Sequence, residues 1–464
     1  MPVLRSWGSR TSLTQPDTPI LRPATQDELI AAVRSGRYRR LRPLGSGHSF
    51  NEIAAAGAEA AAVLLDRLNR VLAVRRYDIH RPRPPLPATV GTVTVEAGIT
   101  IDALLRDLQA RDLTLVNVGA IREQTIAGAI STATHGASIH TGSLSALVVS
   151  LKLLCADGTV TTVTRDDPGQ ADLFRCARVG LGALGIVLEV ELEVVRAFTL
   201  RPVKRMLPVE RFLTEGEDIA RAHPYARFYY FPYTDLVECV TAIPVDEPPA
   251  PHSLSSATRR RLRGSVIDRH LAGAVFTAAS AVRPRSSIPA AIRFAAATRT
   301  TGTGEPDTAW RCLSLPDLPP RHIEMEWSVP LPDWRAAVTA LHTTIGAAPT
   351  PSFLAGFVVS LRFVGSDGDI ALSPNHHRET LTIDIMQFHT LDHRPYFAAT
   401  THAIRSASDT ARPHWGKFFT LSRPDLAPLY PDFELFERVR AAQDPNGVFL
   451  NPWLSRVLDL RGHC

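Results

Sequence analysis

Only five cysteines occur in 464 residues, at 155, 176, 239, 312 and 464, an odd number with wide spacing and no C-x-x-C pair. That pattern disfavours a disulfide framework or a zinc site and fits free thiols in a reducing, cytoplasmic setting. No apolar stretch reaches the ~20 residues that a membrane helix requires. Met1 to Leu13 mixes charges and Ser without an apolar core, so no signal peptide is expected. Neither sign of charge dominates, since 51 Lys and Arg against 46 Asp and Glu leave a net +5. Nucleic-acid proteins concentrate basic residues on one face and interleave aromatics; here the arginines are scattered. The one tight run, Arg259-Arg260-Arg261 with Arg263, reads as a solvated helix face. Internal repeats and a G-x-G-x-x-G opening a helix are also missing.

What is present is ordinary for a soluble globular protein: 45% hydrophobic and 21% charged residues. The length suits two or three units sharing large cores. Up to about residue 195, short strands and helices alternate. Thr25 to Ser35 and Ile101 to Arg111 have helical period, the first with an N-terminal Thr and early acids. Val63 to Leu65, Thr92 to Glu96 and Leu147 to Leu154 read as strands. Asp157-Gly158 between two alternating runs predicts a hairpin over Val149 to Thr164. Beyond residue 196 longer strands are expected at Arg227 to Tyr233, Met325 to Pro330, Phe357 to Val364 and Thr380 to Phe388, with a helix at Trp334 to His342. Residues 244 to 310 suggest a helical excursion with exposed loops. After Arg412 the chain reads as short-looped and aromatic. The fold class is α+β.

Three segments carry chemistry. In Arg42-Pro-Leu-Gly-Ser-Gly-His-Ser-Phe-Asn51, Gly45 and Gly47 allow close backbone approach and positive φ, so successive N–H groups can face a phosphate. Asn117 to Gly136 is dense in small residues and hydroxyls, too small to fill a core, so something other than protein is expected to pack there. Gly180-Leu-Gly-Ala-Leu-Gly-Ile-Val is a third backbone-exposing stretch.

In this order the three segments resemble the vanillyl-alcohol-oxidase (PCMH-type) flavoproteins, in particular their aldonolactone/alditol oxidase branch. Leu21-Arg-Pro-Ala-Thr, Phe228-Tyr-Tyr-Phe-Pro-Tyr-Thr, Glu326-Trp, Arg412-Pro-His-Trp-Gly-Lys417 and Asp444-Pro-Asn-Gly-Val-Phe-Leu-Asn-Pro-Trp-Leu454 extend the likeness over most of the chain. Only residues 240 to 310 fall outside it. The resemblance implies an FAD-binding domain (1–195), a cap domain over the flavin ring (196–411) and a C-terminal segment (412–464) returning to the active site. It implies covalent FAD, bonded through His48 to the flavin 8α carbon. FAD contacts carried over by position are Gly45, Ser46, Gly47, Ser49, Ala120, Thr125, Ala129, Ile130, Ser131, Thr132, Ile186 and His414. His135 matches no covalent position and is read as structural or supporting, and no cysteine stands where a second flavin bond would form. Gly119 falls where the family controls oxygen access, and its smallness favours an oxidase.

The chain departs from its relatives above the flavin. Their Glu-x-Arg becomes Ser360 and Arg362, a polyol-contacting Thr becomes Met386, and a Ser becomes Ala120. Arg362 and Lys417 are retained, and Asp384 is the one carboxylate placed on the same sheet face, to orient Arg362 or accept a proton. The catalytic set is thus Arg362, Lys417, Asp384 and Ser360; the substrate set is Ala120, Ser360, Arg362, Met386 and Lys417; no metal is expected.

The function expected is hydride transfer from a CH–OH carbon to covalent FAD, with O2 reduced to H2O2. Loss of three polar contacts argues against a simple alditol and for a bulkier, less hydroxylated alcohol or amine. The alternatives are an aldonolactone oxidase or dehydrogenase, the latter passing electrons to a carrier protein, and a tailoring oxidase driving cyclisation or C–N oxidation. A binding or scaffolding protein on a flavin fold is a further class, opposed by retention of His48, Arg362 and Lys417. The partners are a small molecule and O2, without nucleic acid or membrane, and the protein is expected to be a monomer.

Overall fold

Thr25 is extended, and its hydroxyl accepts the Glu28 N–H, so the helix Gln26–Arg34 starts there with Asp27 and Glu28 at its positive end. Leu29 and Val33, four apart, pack on Leu41, Ala61 and Val63 of a three-stranded parallel sheet formed by Ile20–Leu21, Ala60–Leu64 and Arg40–Leu44. The computed structural model describes residues 3–8, 11–250, 287–316, 318–347 and 353–458. The arginine run at 259–263 and Cys464 lie outside the described residues, as does much of the excursion expected at 244 to 310. The helix Ser287–Ala297 is its described helical part.

A second sheet has the order Val71–Arg83, Leu86–Glu96, Ile186–Arg196, Val148–Leu154, Val160–Thr164, with Leu113–Thr114 beside Ile186–Arg196. The hairpin forms as the sequence predicts: Gly158 takes φ +81° and the Asp157 carboxylate accepts the Thr159 N–H at 2.8 Å. The helix Ile101–Ala110 buries Ile101, Leu104, Leu105 and Leu108, one face at helical spacing.

After Arg196 the chain enters a nine-stranded sheet. Its order is Gly302–Thr303, Thr199–Pro208, Leu236–Val245, Tyr225–Tyr230, Val359–Val364, Thr380–Phe388, His322–Pro330, Arg412–Pro413, with Asp307–Thr308 added to Thr199–Pro208. Period-two alternation divides its two faces. Phe228 and Phe363 point to one side, where they pack with Phe212 of the helix Val209–Ala222 and with Trp334 of the helix Trp334–Gly346. Tyr229, Ser360 and Arg362 point to the other side.

The last fifty residues do more than the sequence suggests. Two helices, Phe433–Gln443 and Pro452–Leu458, stand where short loops were expected. The chain then re-enters the N-terminal half. The Leu41 N–H donates to Val448 O at 2.8 Å, and Arg42 donates to Phe449 O at 2.9 Å. Buried Asn451 donates its amide to the carbonyls of Glu52, Ile53 and Ala55 and accepts the Leu454 N–H. Replacing Asn451 with Ala strands these buried groups. It is expected to lower the unfolding free energy by about 3 kcal/mol, measured by urea denaturation.

Candidate active site

A cavity of about 2490 Å³ lies between the N-terminal sheets and the polar face of the large sheet. Its first wall is the loop that follows the strand Arg40–Leu44. Gly47 takes φ +73°, and a Cβ on Gly45 would sit 2.6 Å from the Thr125 hydroxyl. The N–H groups of Ser46, Gly47, His48 and Ser49 find no protein acceptor among the described residues. Four successive free donors on a glycine turn form a concave anion site. Buried Arg42 lines the same wall, donating to Leu181 O, Gly182 O and Phe449 O, while its Nε has no partner. This donor set fits the pyrophosphate of FAD. The first N–H groups of the helix Ile126–Ser131 are already taken by Ile99 O, Ala97 O and the Thr125 hydroxyl, so the turn rather than that helix supplies the free donors.

Thr125, Ser131, Thr132 and Ala120 line the cavity as well, with Ala127, Gly128 and Gly185 beside them. Ala129, Ile130 and Ile186 do not reach it; their side chains are fully buried in the hydrophobic cores behind the wall. Gly119 is also behind the wall. A Cβ there would meet Thr134 Cγ2 at 2.8 Å, so packing accounts for its size and it carries no argument about oxygen. His48 projects into the cavity beside Trp7, ring centroids 5.8 Å apart, and makes no hydrogen bond among the described residues. Burial lowers its pKa and keeps the imidazole neutral, the form in which a ring nitrogen is nucleophilic.

The opposite wall is the polar face of the large sheet. Ser360 pairs with Asp384, and Asp384 with Glu326 on the next strand; Met386 pairs with Glu324. All five line the cavity with Arg362 and Lys417. Arg362 Nε donates to Ser360 Oγ at 3.1 Å, and its Nη2 stands 3.5 Å from Asp384 Oδ2. Lys417 ion-pairs with Glu324 and lies 4.9 Å over the Phe50 ring. Asp384 is therefore not the one carboxylate on this face, because Glu324 and Glu326 share it. Sequence reading missed them because the strand His322–Pro330 alternates polar and apolar residues as a half-exposed strand does, yet it is buried on both faces.

Burial pushes Glu324 up, but the charge of Lys417 and hydrogen bonds with Asp384 and His322 outweigh it and hold that carboxyl well below its usual range. Asp384 moves the opposite way: burial, then the charge of Glu324, raise it well above the ordinary value. Burial alone would lower Lys417, yet the surrounding carboxylates keep it charged.

The closing segment is clamped independently of its side chains. Asn51 donates to Trp415 O and Lys417 O, Phe50 N–H donates to Gly416 O, and the N–H groups of His414 and Phe418 donate to Glu326 O and Glu324 O. His135 links the two walls, with one ring nitrogen 2.9 Å from Gly136 O and the other 2.7 Å from Glu326 Oε1. His414, Glu326 and His135 bring ligand-type atoms within 4.8 Å of one another. Burial lowers the His414 pKa to about 4, and its Nδ1 accepts the Gly416 N–H. Three of the four ring nitrogens are thus engaged, and His135 with Glu326 forms a hydrogen-bonded strut between the walls.

The family described as FAD binding domain matches residues 18–164, and that described as D-arabinono-1,4-lactone oxidase matches residues 190–457. An L-gulono-1,4-lactone dehydrogenase of Mycobacterium tuberculosis is 31% identical over 95% of each chain. An L-gulonolactone oxidase of Scyliorhinus torazame is 28% identical over 94% of each. A cholesterol oxidase of Brevibacterium sterolicum shares the fold, with a TM-score of 0.74 at 16% identity, covering 98% of this chain and 96% of the other. No helix among the described residues is long and apolar enough to cross a membrane. Fold, cavity and comparisons agree: the chain is an FAD-dependent oxidoreductase belonging to the D-arabinono-1,4-lactone oxidase family, the aldonolactone branch of the PCMH-type flavoproteins.

Proposed function

We propose that the protein oxidises a CH–OH carbon of an aldonolactone, with FAD tethered through His48 and O2 as the acceptor that yields H2O2. When bound, FAD supplies the hydride acceptor. The observation that carries the reading is the pair of cations, Arg362 and Lys417, fixed on the wall opposite the glycine turn. Two positive groups lower the cost of negative charge developing on the substrate oxygen as the C–H bond breaks.

The aldonolactone reading takes precedence over the bulkier, less hydroxylated alcohol suggested by the altered pocket, because relatives matching nearly the whole chain are named for such lactones. A lactone ring carries fewer free hydroxyls than an open alditol, and this agrees with Ala120, Ser360 and Met386 as smaller or more apolar replacements of polar contacts. Mixing the oxidised protein without air with L-gulono-1,4-lactone or D-arabinono-1,4-lactone is expected to bleach the flavin absorbance, and air should restore it with H2O2. Xylitol should bleach it at least about tenfold more slowly. Bleaching by xylitol and not by either lactone would reject the substrate class. Recovery only with an added electron carrier would reject O2 as acceptor.

A further inference from the structure

Asp384 Oδ1 is buried and meets no N–H or O–H donor among the described residues. Glu324, the diagonal neighbour of Asp384 on the adjacent strand, lines the same cavity, and its charge raises the proton affinity of Asp384. Two carboxyl groups bond to each other only with a proton between them. Arg362 at 3.5 Å reaches the other oxygen, Oδ2, so Oδ1 is the oxygen the cations leave open. Glu324 is tied to Lys417, which leaves Asp384 as the member of the pair with room to exchange a proton with the cavity.

We propose that Asp384 is the proton acceptor of the reaction and that Glu324 is the positioning residue that shares the proton once it arrives. The proposal rests on the CH–OH oxidation argued above and adds to it the fate of the hydroxyl proton. The substrate O–H bond breaks, its proton bonds to Asp384 Oδ1, and the O–H electron pair becomes the second bond of the product carbonyl as the hydride leaves the carbon. The resulting carboxylic acid then has Glu324 beside it on the neighbouring strand as the group with which to share the proton. Ser360 makes room for this role: it is the direct cross-strand neighbour of Asp384, and its short side chain lets the aspartate reach the cavity.

The groups facing Asp384 are Arg362 from one side of its strand, Glu324 and Glu326 from the other, and Lys417 from the closing segment, with Tyr229 and His414 lining the same cavity. Glu324 and Glu326 raise its proton affinity, while Arg362 and Lys417 limit the rise. The base form is the unprotonated pair, so kcat rises with pH through the apparent pKa of the pair.

The isosteric Asp384→Asn is expected to retain FAD, to lower kcat with L-gulono-1,4-lactone by about 10²–10³-fold and to abolish the acid limb of the profile. Glu324→Gln removes the neighbouring negative charge and releases Lys417. Its acid limb should move to lower pH by about one unit, with kcat changed by less than about tenfold. Infrared difference spectra should show a protonated-carboxyl C=O band that fades as pH rises and is missing from Asp384→Asn. An unaltered acid limb in either variant, or a carboxyl band that persists in Asp384→Asn, overturns the assignment. If Asp384→Asn does not fold, the Glu324→Gln limb decides. Failure of the wild type to react with lactones rejects the substrate reading alone, because the infrared band tests the carboxyl pair without turnover.

Discussion

Lys417→Met is expected to reduce kcat/KM for an aldonolactone by about 10³-fold while leaving the closing segment in place. The main chain of the segment is held by the Asn51 side-chain amide, the Phe50 N–H and the carbonyls of Glu324 and Glu326, and none of these contacts involves the lysine side chain. What disappears is a partly buried ammonium group that faces the cavity and neutralises buried Glu324. Removing one partner of a buried pair leaves an uncompensated charge, at a cost of about 3–5 kcal/mol unless the group takes up a proton. Glu324 is therefore expected to protonate in the variant. The stability deficit should then shrink as pH is lowered, the reverse of wild-type behaviour, in which Lys417 holds the folded-state pKa of Glu324 below its unfolded value and that stability is lost on acidification. Stopped-flow flavin reduction together with urea melts at two pH values separates the two effects. Wild-type kcat/KM in Lys417→Met would remove the lysine from the reaction.

The second large effect concerns the cofactor tether. Wild-type protein precipitated with acid should keep its yellow colour in the pellet, whereas His48→Ala should release all of its flavin to the supernatant. The basis is geometric. His48 sits on a turn whose neighbouring N–H groups, like its own ring, have no hydrogen-bond partner among the described residues, and the ring projects into the cavity. Burial favours the neutral imidazole. The variant should still bind FAD noncovalently, because the free N–H groups of Ser46, Gly47 and Ser49 and the Arg42 guanidinium do not depend on the ring. Flavin washing out of the acid-treated wild type would refute the covalent link.

Much of the cofactor side was legible in the sequence because its logic is local. A glycine turn, a capped helix or an Asp-Gly hairpin is specified by three or four adjacent residues, and each formed where their chemistry required it. The carried-over contacts were less uniform: Thr125, Ser131 and Thr132 face the cavity, but Ala129, Ile130 and Ile186 pack behind it. The substrate side depends on cross-strand register, which no single segment encodes. Ser360, Asp384 and Glu326 are neighbours only because three strands align. The strand expected at Met325 to Pro330 begins at His322, so Glu324 and Glu326 share one face, and only the assembled sheet shows that this face is buried against the cavity. His135 was legible as a supporting residue, though its bond to Glu326 across 191 positions was not.

The bonds that Val448, Phe449 and Asn451 make to the first sixty residues have a consequence for biosynthesis. While the ribosome is still making the second half, the strand Arg40–Leu44 has Ala60–Leu64 beside it but lacks Val448 and Phe449, and Glu52 to Ala55 after the turn lack Asn451. The emerging N-terminal half therefore has an unfinished cradle, and flavin loading is expected to wait for nearly the whole polypeptide to leave the exit tunnel. A message truncated before codon 448 should give a colourless product even though every residue of the glycine turn has been translated.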